Sequence, residues 1–83
     1  LQVRVILSSD HPLASHPYLK LSDLKNERFV GVADTAVPGR NAWITSVCKK
    51  SGFRPRFIAN TSSITETYAL VAAEHAISLI PDY

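Results

Sequence analysis

The stretch "RFIANTSSITETYALVAAE", residues 56–74, changes its periodicity at a run of three hydroxyl residues. Its first five residues form a short apolar run that is typical of a strand. Ser63-x-x-Glu66 then matches a capping box, which predicts a helix that runs on to about Glu74. The residues predicted to face inward, by their helical spacing, are Ile64, Tyr68, Val71 and His75.

The same alternation of strand and helix extends to both sides of this stretch. "FVGVA" (29–33) is an apolar run that is typical of a strand covered on both faces, and "DTAVPGR" (34–40) reads as a loop. A helix is predicted over 40–51, with Gly52 as its C-cap glycine and an apolar stripe made of Trp43, Ile44, Val47 and Cys48. "ISLIP" (77–81) reads as a further strand, stopped by Pro81. The order strand, helix, strand, helix, strand predicts an α/β fold in three layers, with a mostly parallel sheet flanked by helices.

The first 28 residues are less regular. Residues 1–8 alternate as a strand that ends near Ser8, with Val3, Val5 and Leu7 on one face. The two His-Pro dipeptides that follow indicate a loop, since proline restricts the residue before it. Ser22 is then a candidate N-cap for one short helical turn.

The composition and net charge of the chain limit the classes of protein to which it can belong. The chain of 83 residues is 46% hydrophobic, which is typical of one small globular domain. The net charge of +2 is too small and too scattered for a nucleic-acid footprint, and the basic group Lys49, Lys50, Arg54 and Arg56 reads as a solvated rim. No apolar run is long enough to span a membrane, no signal peptide is visible, and a single cysteine fits a reducing compartment, so we expect a cytoplasmic protein. Because the sequence contains no methionine, even at position 1, we expect it to be a segment of a longer product.

Polar residues follow two of the predicted strands. Ligands of open α/β sheets bind beyond the carboxyl ends of the strands, where helix N-termini present free N–H groups to anions. The residues at these ends are Ala33, Asp34, Thr35, Thr61, Ser62 and Ser63. They predict a site for a small polar ligand, with Ser63 as the helix cap. The alternative is that the hydroxyls only satisfy nearby backbone groups.

Catalytic patterns are weak. Cys48 lies on the inward stripe of a helix, which is typical of a core residue rather than a nucleophile. The three histidines are scattered and predict no metal site, and no nucleotide-binding or nucleophile motif occurs. Asp34 is the only acid at a strand end and has no base or nucleophile near it in the sequence. We therefore expect neither an enzyme nor a cofactor.

Five segments in order resemble one family: "HPLA" (11–14), "LSDLKNERFVG" (21–31), "PG" (38–39), "CKKSGFRPRF" (48–57) and "LVAAEHAISLIPDY" (70–83). Together they resemble the effector-binding domain of LysR-type transcriptional regulators. The resemblance implies that residues 1–83 are the second lobe of a fold like that of type 2 periplasmic-binding proteins, without the first lobe and the DNA-binding domain. It also implies that the effector lies in the cleft between two lobes, against the strand-end residues named above.

The resemblance implies partners as well. Such domains dimerise side by side, and the residues of this chain that match the contact are Trp43, Val47, Lys50, Arg56 and Ile58. DNA would be bound only through a separate helix-turn-helix domain. The expected effector is a small anionic metabolite, a carboxylate rather than a phosphate, because neither strand end carries an arginine. The alternative from another class is a lobe of a solute-binding protein of a transport system.

The chain departs from the family pattern at the end of its second predicted helix. Glu74 and Ala76 stand where the family usually has glycines. A residue with a Cβ reaches the left-handed conformation only at a cost of about 1 kcal/mol or more, so we expect a rebuilt or strained helix end.

Overall fold

The computed structural model describes residues 2–82, which form four strands and two α-helices. In chain order the elements are β1 (Gln2–Ile6), β2 (Arg28–Val32), α1 (Arg40–Lys50), β3 (Arg56–Thr61), α2 (Ile64–Glu74) and β4 (Ser78–Asp82). Two 3₁₀ turns, Pro12–Ser15 and Leu21–Leu24, lie between β1 and β2. Each predicted strand and helix is present, with its bounds within two residues of those predicted.

The strands form two pairs that one bridge connects. β2 pairs in parallel with β3, and β1 pairs antiparallel with β4. The bridge is parallel and joins Phe29 to Ile77, where the Val30 N–H donates to the Ile77 carbonyl at 2.8 Å. The strand order across the molecule is therefore β3-β2-β4-β1, in which both neighbours of β2 run parallel to it.

The two helices cover opposite faces of this sheet. Phe29 of β2 packs in a buried cluster with Ile44 and Cys48 of α1. Val30, the next residue along the strand, packs instead with Val71 of α2. Because successive side chains of a strand point to opposite faces, β2 is buried on both sides, as its continuous apolar run predicted. The three-layer α/β architecture expected from the sequence is confirmed.

A bulge in the β2–β3 ladder sets which residues face each helix. Phe29 is opposite Phe57, whereas Val30 is opposite Ala59, so that Ile58 is the extra residue in β3. An extra residue reverses the inward and outward alternation of everything that follows it. As a result Asn60 lies on the α1 side of the sheet, opposite Gly31.

α1 has the face that the sequence predicted. Ile44 and Cys48 are fully buried, and Trp43 and Val47 are half-buried against the same cluster. Gly52 follows the helix with φ of +91°, a conformation that glycine adopts without strain.

The prediction for the inward face of α2 was wrong at three of four residues. Only Val71 of the predicted stripe is buried, whereas Ile64 and Tyr68 are 48% and 50% exposed and the His75 side chain is 55% exposed. The second buried position of α2 is Thr67. A buried threonine is tolerated there because hydroxyl and carbonyl partners surround its oxygen, which a periodicity of apolar residues does not reveal.

Two local predictions are corrected before β2 and in β4. Ser22 lies inside the 3₁₀ turn, and the N-cap position is Lys20, whose backbone N–H donates to Asp23 at 2.9 Å. Pro81 does not stop β4 but lies within it, opposite Val3. Within the described residues the bridge to β2 is at Ile77, just before β4, and residues 78–82 are paired with β1 alone, so a proline in β4 breaks no ladder on the other side.

The residue that takes the left-handed conformation at the end of α2 is neither Glu74 nor Ala76. Glu74 is the last helical residue, Ala76 is fully buried, and the left-handed conformation falls on His75, with φ of +50°. The Arg28 guanidinium donates to the Glu74 carbonyl, and His75 Nε2 lies 3.3 Å from Asp10 Oδ2. The helix end is therefore rebuilt around a non-glycine residue in the left-handed region.

The first His-Pro dipeptide performs the turn role that the sequence predicted. His11 caps the 3₁₀ turn Pro12–Ser15, where its Nδ1 accepts from the Leu13 N–H at 3.0 Å. Its Nε2 lies 2.8 Å from Glu27 Oε1, which ties this turn to the segment before β2. No helix within residues 2–82 is long and apolar enough to cross a membrane.

Candidate functional site

The candidate site lies at the carboxyl ends of β2 and β3, where each strand leads into a helix. Residues 33–39 connect β2 to α1, and residues 62–63 connect β3 to α2. The Ala33 N–H donates to the Thr61 carbonyl at 2.8 Å, so the ladder continues one step past β2 and joins the two connections. The residues that the sequence placed at separate strand ends thus meet at one edge of the sheet.

Thr61 lies beneath this edge rather than on it. The side chain is fully buried, and its hydroxyl is 2.6 Å from Thr67 Oγ1 and 3.3 Å from the carbonyl oxygens of Gly31 and Ser63. A buried hydroxyl with three partners in the protein is not presented to a ligand. It fixes the junction between β3 and α2 instead.

The hydroxyls of Ser62 and Ser63 have different hydrogen-bond partners at the start of α2. Ser63 is the N-cap, and its hydroxyl oxygen accepts from the Glu66 N–H at 3.1 Å, as the capping-box pattern predicted. The Glu66 carboxylate does not return to the cap backbone but accepts from the Ser62 hydroxyl at 2.8 Å. Ser62 is exposed, so its hydroxyl can turn from this carboxylate to a ligand.

The first turn of α2 presents unpaired backbone donors. The N–H groups of Glu66 and Thr67 donate to the hydroxyl and the carbonyl of Ser63. Within the described residues this leaves the N–H groups of Ile64 and Thr65 without an acceptor. Since α2 has 11 residues, these donors stand at the positive end of a full helix dipole.

The connection after β2 is a compact turn. The Ala33 carbonyl accepts from the N–H groups of Ala36 and Val37 at 2.9 and 3.0 Å. One carboxylate oxygen of Asp34 accepts from the Gly39 N–H at 3.3 Å, which holds the turn closed. Asp34 and Thr35 are both exposed, so the second Asp34 oxygen and the Thr35 hydroxyl face solvent.

The charges at this edge are mixed. Asp34 and Glu66 are acidic, and Arg40, the first residue of α1, is the only basic residue among residues 33–41 and 60–67. The groups at this edge that could attract an anion are therefore the N–H groups and dipole of α2, since basic side chains are not in excess.

Asn41 and Asn60 form a hydrogen-bonded pair beside Gly31, and the sequence analysis did not predict either residue as part of this edge. Asn41 Oδ1 accepts from the Val32 N–H at 2.9 Å, and Asn41 Nδ2 donates to Asn60 Oδ1 at 2.7 Å. A Cβ at Gly31 would stand 2.5 Å from both side-chain oxygens. The glycine in the middle of a buried strand was the available signal, because such a glycine often marks the close approach of another group.

The five residues predicted for self-association do not share one face. Trp43, Val47 and Lys50 line a hollow of about 360 Å³ on α1, together with Val3, Leu21, Ser46 and Ser51. Arg56 is exposed at the start of β3, which is an edge strand because it pairs only with β2 within the described residues. Ile58 lies at the bulge and packs toward α2 with Val30.

The remaining candidates for chemistry are structural. Cys48 is fully buried, and this burial raises the pKa of its thiol. Over residues 2–82, His, Cys, Asp and Glu side chains form no group of three that could hold a metal ion. Lys49, Lys50, Arg54 and Arg56 are exposed, as expected for a solvated rim.

Comparison with known proteins identifies relatives of the whole chain. The model of the family described as LysR substrate binding domain matches residues 1–83. The HTH-type transcriptional regulator AlsR of Bacillus subtilis (strain 168) is 28% identical over 75 residues, which are 90% of this chain and 25% of AlsR. The chain therefore spans about a quarter of the length of that regulator.

The solved structures that share the fold include two with a bound ligand. The effector-binding domain of QuiR in complex with shikimate superposes with a TM-score of 0.79 and 23% identity, over 98% of this chain and 38% of that one. The BenM effector-binding domain with its effector benzoate gives a TM-score of 0.78 and 23% identity, over 96% of this chain and 37% of that one.

Proposed function

The chain belongs to the LysR substrate binding domain family, and from that membership we propose that it is one lobe of the effector-binding domain of a bacterial transcriptional regulator. A member of this family binds a ligand and is not an enzyme, as the sequence predicted. A lobe of a solute-binding protein, the alternative from another class, is disfavoured because AlsR, which matches 90% of this chain, is a transcriptional regulator. DNA would be bound by a separate helix-turn-helix domain of the same regulator.

The proposed ligand is a small metabolite with a carboxylate group. The observation that carries this proposal is the first turn of α2, where the N–H groups of Ile64 and Thr65 have no acceptor within the described residues and the neighbouring Ser62 hydroxyl is exposed. The relatives QuiR and BenM were solved with shikimate and benzoate, both of which are carboxylates. Asp34 and Thr35 would line the other side of the site, and Ala33, Thr61 and Ser63 would hold these donors in place.

The proposed mechanism is closure of two lobes around the ligand. A ligand shifts such an equilibrium only by the difference between its affinities for the closed and the open arrangement. The closed arrangement would bury the α2 donors against the ligand, where a hydrogen bond to a charged group contributes about 1.5–3 kcal/mol. This difference in binding free energy would favour the closed arrangement and so change the position of the DNA-binding part of the regulator.

The site is tested by titrating the ¹⁵N-labelled chain with benzoate, shikimate and the uncharged benzyl alcohol. We expect the two carboxylates to shift the Ile64 and Thr65 amide signals with dissociation constants of about 1 mM or weaker, since one lobe supplies only part of the contacts. Ser62→Ala should weaken carboxylate binding about 2- to 10-fold, the value of one hydrogen bond that stays open to solvent in a single lobe. Thr61 is not a suitable target, because its loss would disturb the fold.

The matched control is Ser22→Ala, which removes an exposed hydroxyl before the opposite end of β2. It should bind both carboxylates as the unmodified chain does. Changes of amide signals confined to residues outside the first turn of α2 would contradict a carboxylate site there. Equal affinities for benzyl alcohol and benzoate would contradict it as well.

Self-association through α1 is the second proposed property. The hollow lined by Trp43, Val47 and Lys50 exposes partly apolar side chains on one helix face, which supports a contact with a second copy. Ser46 is exposed at the rim of this hollow, so Ser46→Arg adds a large charged side chain there without entering the core. Light scattering should show a dimer that Ser46→Arg dissociates and that Ala72→Arg, on the exposed face of α2, does not. A monomer at all accessible concentrations would contradict the proposal.

A further inference from the structure

The side-chain amide of Asn60 is held in one orientation by a chain of hydrogen bonds that begins at the backbone. The Val32 N–H is a donor only, so the Asn41 atom that it contacts at 2.9 Å must be the oxygen. Asn41 then presents its nitrogen to Asn60, whose oxygen accepts at 2.7 Å. It follows that the Asn60 nitrogen, with its two N–H donors, points away from this pair.

The outward donors of Asn60 have no partner in the described part of the chain. Asn60 is exposed, and its one side-chain hydrogen bond there is the one to Asn41. Asn41 satisfies the buried Val32 N–H by itself, so Asn60 adds only a surface hydrogen bond to the stability of the fold. Such a bond stabilises the fold only about as much as a glycine inside a strand destabilises it.

The fold nevertheless makes room for this amide in two ways. Gly31 leaves the space that a Cβ would occupy 2.5 Å from both oxygens, and the bulge at Ile58 turns Asn60 toward Asn41. The next two residues after Asn60 are Thr61 and Ser62, which lead directly into the proposed effector site. The donors therefore stand at the rim of that site, in an orientation set before any ligand arrives.

We infer that Asn60 is a specificity-determining donor for the effector, taking a carboxylate or carbonyl oxygen of the ligand with its outward N–H groups. This inference rests on the function proposed above and adds to it a second polar contact, separate from the first turn of α2. It requires the effector to carry an oxygen acceptor that reaches the α1 side of the sheet edge. Asn41 acts through Asn60 and is a positioning residue.

Three variants of the chain test the inference with benzoate and shikimate as probes. Asn60→Asp keeps an oxygen for Asn41 but replaces the outward donors with a negative charge. Asn60→Ala removes the donors without adding a charge. Asn26→Asp is the matched control, because Asn26 is also exposed but precedes the amino end of β2.

The expected result is a graded loss. Asn60→Ala should weaken the binding of at least one probe about 3- to 10-fold, as for one lost solvent-exposed hydrogen bond. Asn60→Asp should weaken it at least about 10-fold, because this variant also places a negative charge beside the carboxylate. Asn26→Asp should leave both dissociation constants unchanged. In the unmodified chain, the probe should shift the Asn60 side-chain amide signals and leave those of Asn26 in place. Unchanged amide signals of β1 and β4, which lie away from residue 60, confirm that Asn60→Asp keeps the fold.

Other outcomes overturn the inference. If Asn60→Asp weakens binding but Asn60→Ala does not, the effect is that of a nearby charge and not of a lost contact. If neither variant changes binding while Ser62→Ala does, Asn60 is outside the site and the proposed function stands. If neither probe binds the unmodified chain, the carboxylate site and the role of Asn60 both fail.

Discussion

Replacing Gly31 by alanine would test whether the asparagine pair shapes the site edge. The backbone of Gly31 is not in the left-handed region, so alanine can adopt its conformation. Space is what requires glycine, because an added Cβ would lie 2.5 Å from Asn41 Oδ1 and from Asn60 Oδ1. Both atoms are ends of side chains, so we expect the amides to swing away while the strand stays in place.

The cost of Gly31→Ala then follows from the hydrogen bonds that are lost. The buried Val32 N–H loses its acceptor, which costs about 1–3 kcal/mol, and the exposed bond between the two asparagines contributes about 0.5–1 kcal/mol. Replacing glycine by alanine in a strand returns about 0.5–1 kcal/mol. We expect a net loss of about 1–3 kcal/mol, which for a chain of this size lowers the melting temperature by about 4–24 °C.

Thermal and urea unfolding followed by circular dichroism would measure this loss. The same substitution in an Asn41→Ala/Asn60→Ala background should be neutral or stabilising, because the atoms that the Cβ would meet are gone. Gly52→Ala is the control, since Gly52 has φ of +91° and no atom within 4 Å of an added Cβ. Gly52→Ala should lower the free energy of unfolding through backbone strain, which the two asparagine substitutions should not relieve. Equal costs of Gly31→Ala in both backgrounds would refute the reasoning.

Two further predictions concern titratable groups. The Cys48 thiol is fully buried and burial raises its pKa, so it should react with a disulfide reagent only as fast as the chain unfolds; fast reaction in the folded state would contradict the buried position. Hydrogen bonds from the Ser8 hydroxyl and, to a smaller extent, from His75 lower the pKa of the Asp10 carboxyl below its ordinary 3.8. Because the folded-state pKa is the lower one, the stabilisation from this carboxylate is present above 3.8 and is lost as the pH falls through the folded-state pKa. NMR titration should place the Asp10 pKa below 3.8 and show it rise in Ser8→Ala, and an unchanged value in Ser8→Ala would exclude the hydroxyl as the main cause.

Much of the fold could be predicted because its signals are local in the sequence. The apolar run at 29–33, the hydroxyl cap Ser63 and the apolar stripe of α1 each reflect what a few neighbouring residues need, namely burial on two faces, an acceptor for free N–H groups, and one covered helix face. The order of these elements then determined the parallel pairing of β2 with β3. The family followed from the same segments.

The inward face of α2 could not be predicted in the same way. Ile64 and Tyr68 fit the helical period as well as any buried residue, yet both remain half-exposed. Thr67 is buried because Thr61, a residue of another element, provides a partner for its hydroxyl at 2.6 Å. That partnership depends on how α2 packs on β3, so no property of the helix sequence reveals it.

The sequence by itself determined the elements, their order and the edge of the sheet at which the polar residues gather. Only the tertiary structure decided what each polar residue does there. One extra residue in β3, at Ile58, turns Thr61 toward Thr67 beneath the site and Asn60 toward Asn41 at its rim. The physical reason is that side chains alternate along a strand, so the face that a residue occupies depends on its register with a neighbouring strand, which lies far away in the sequence.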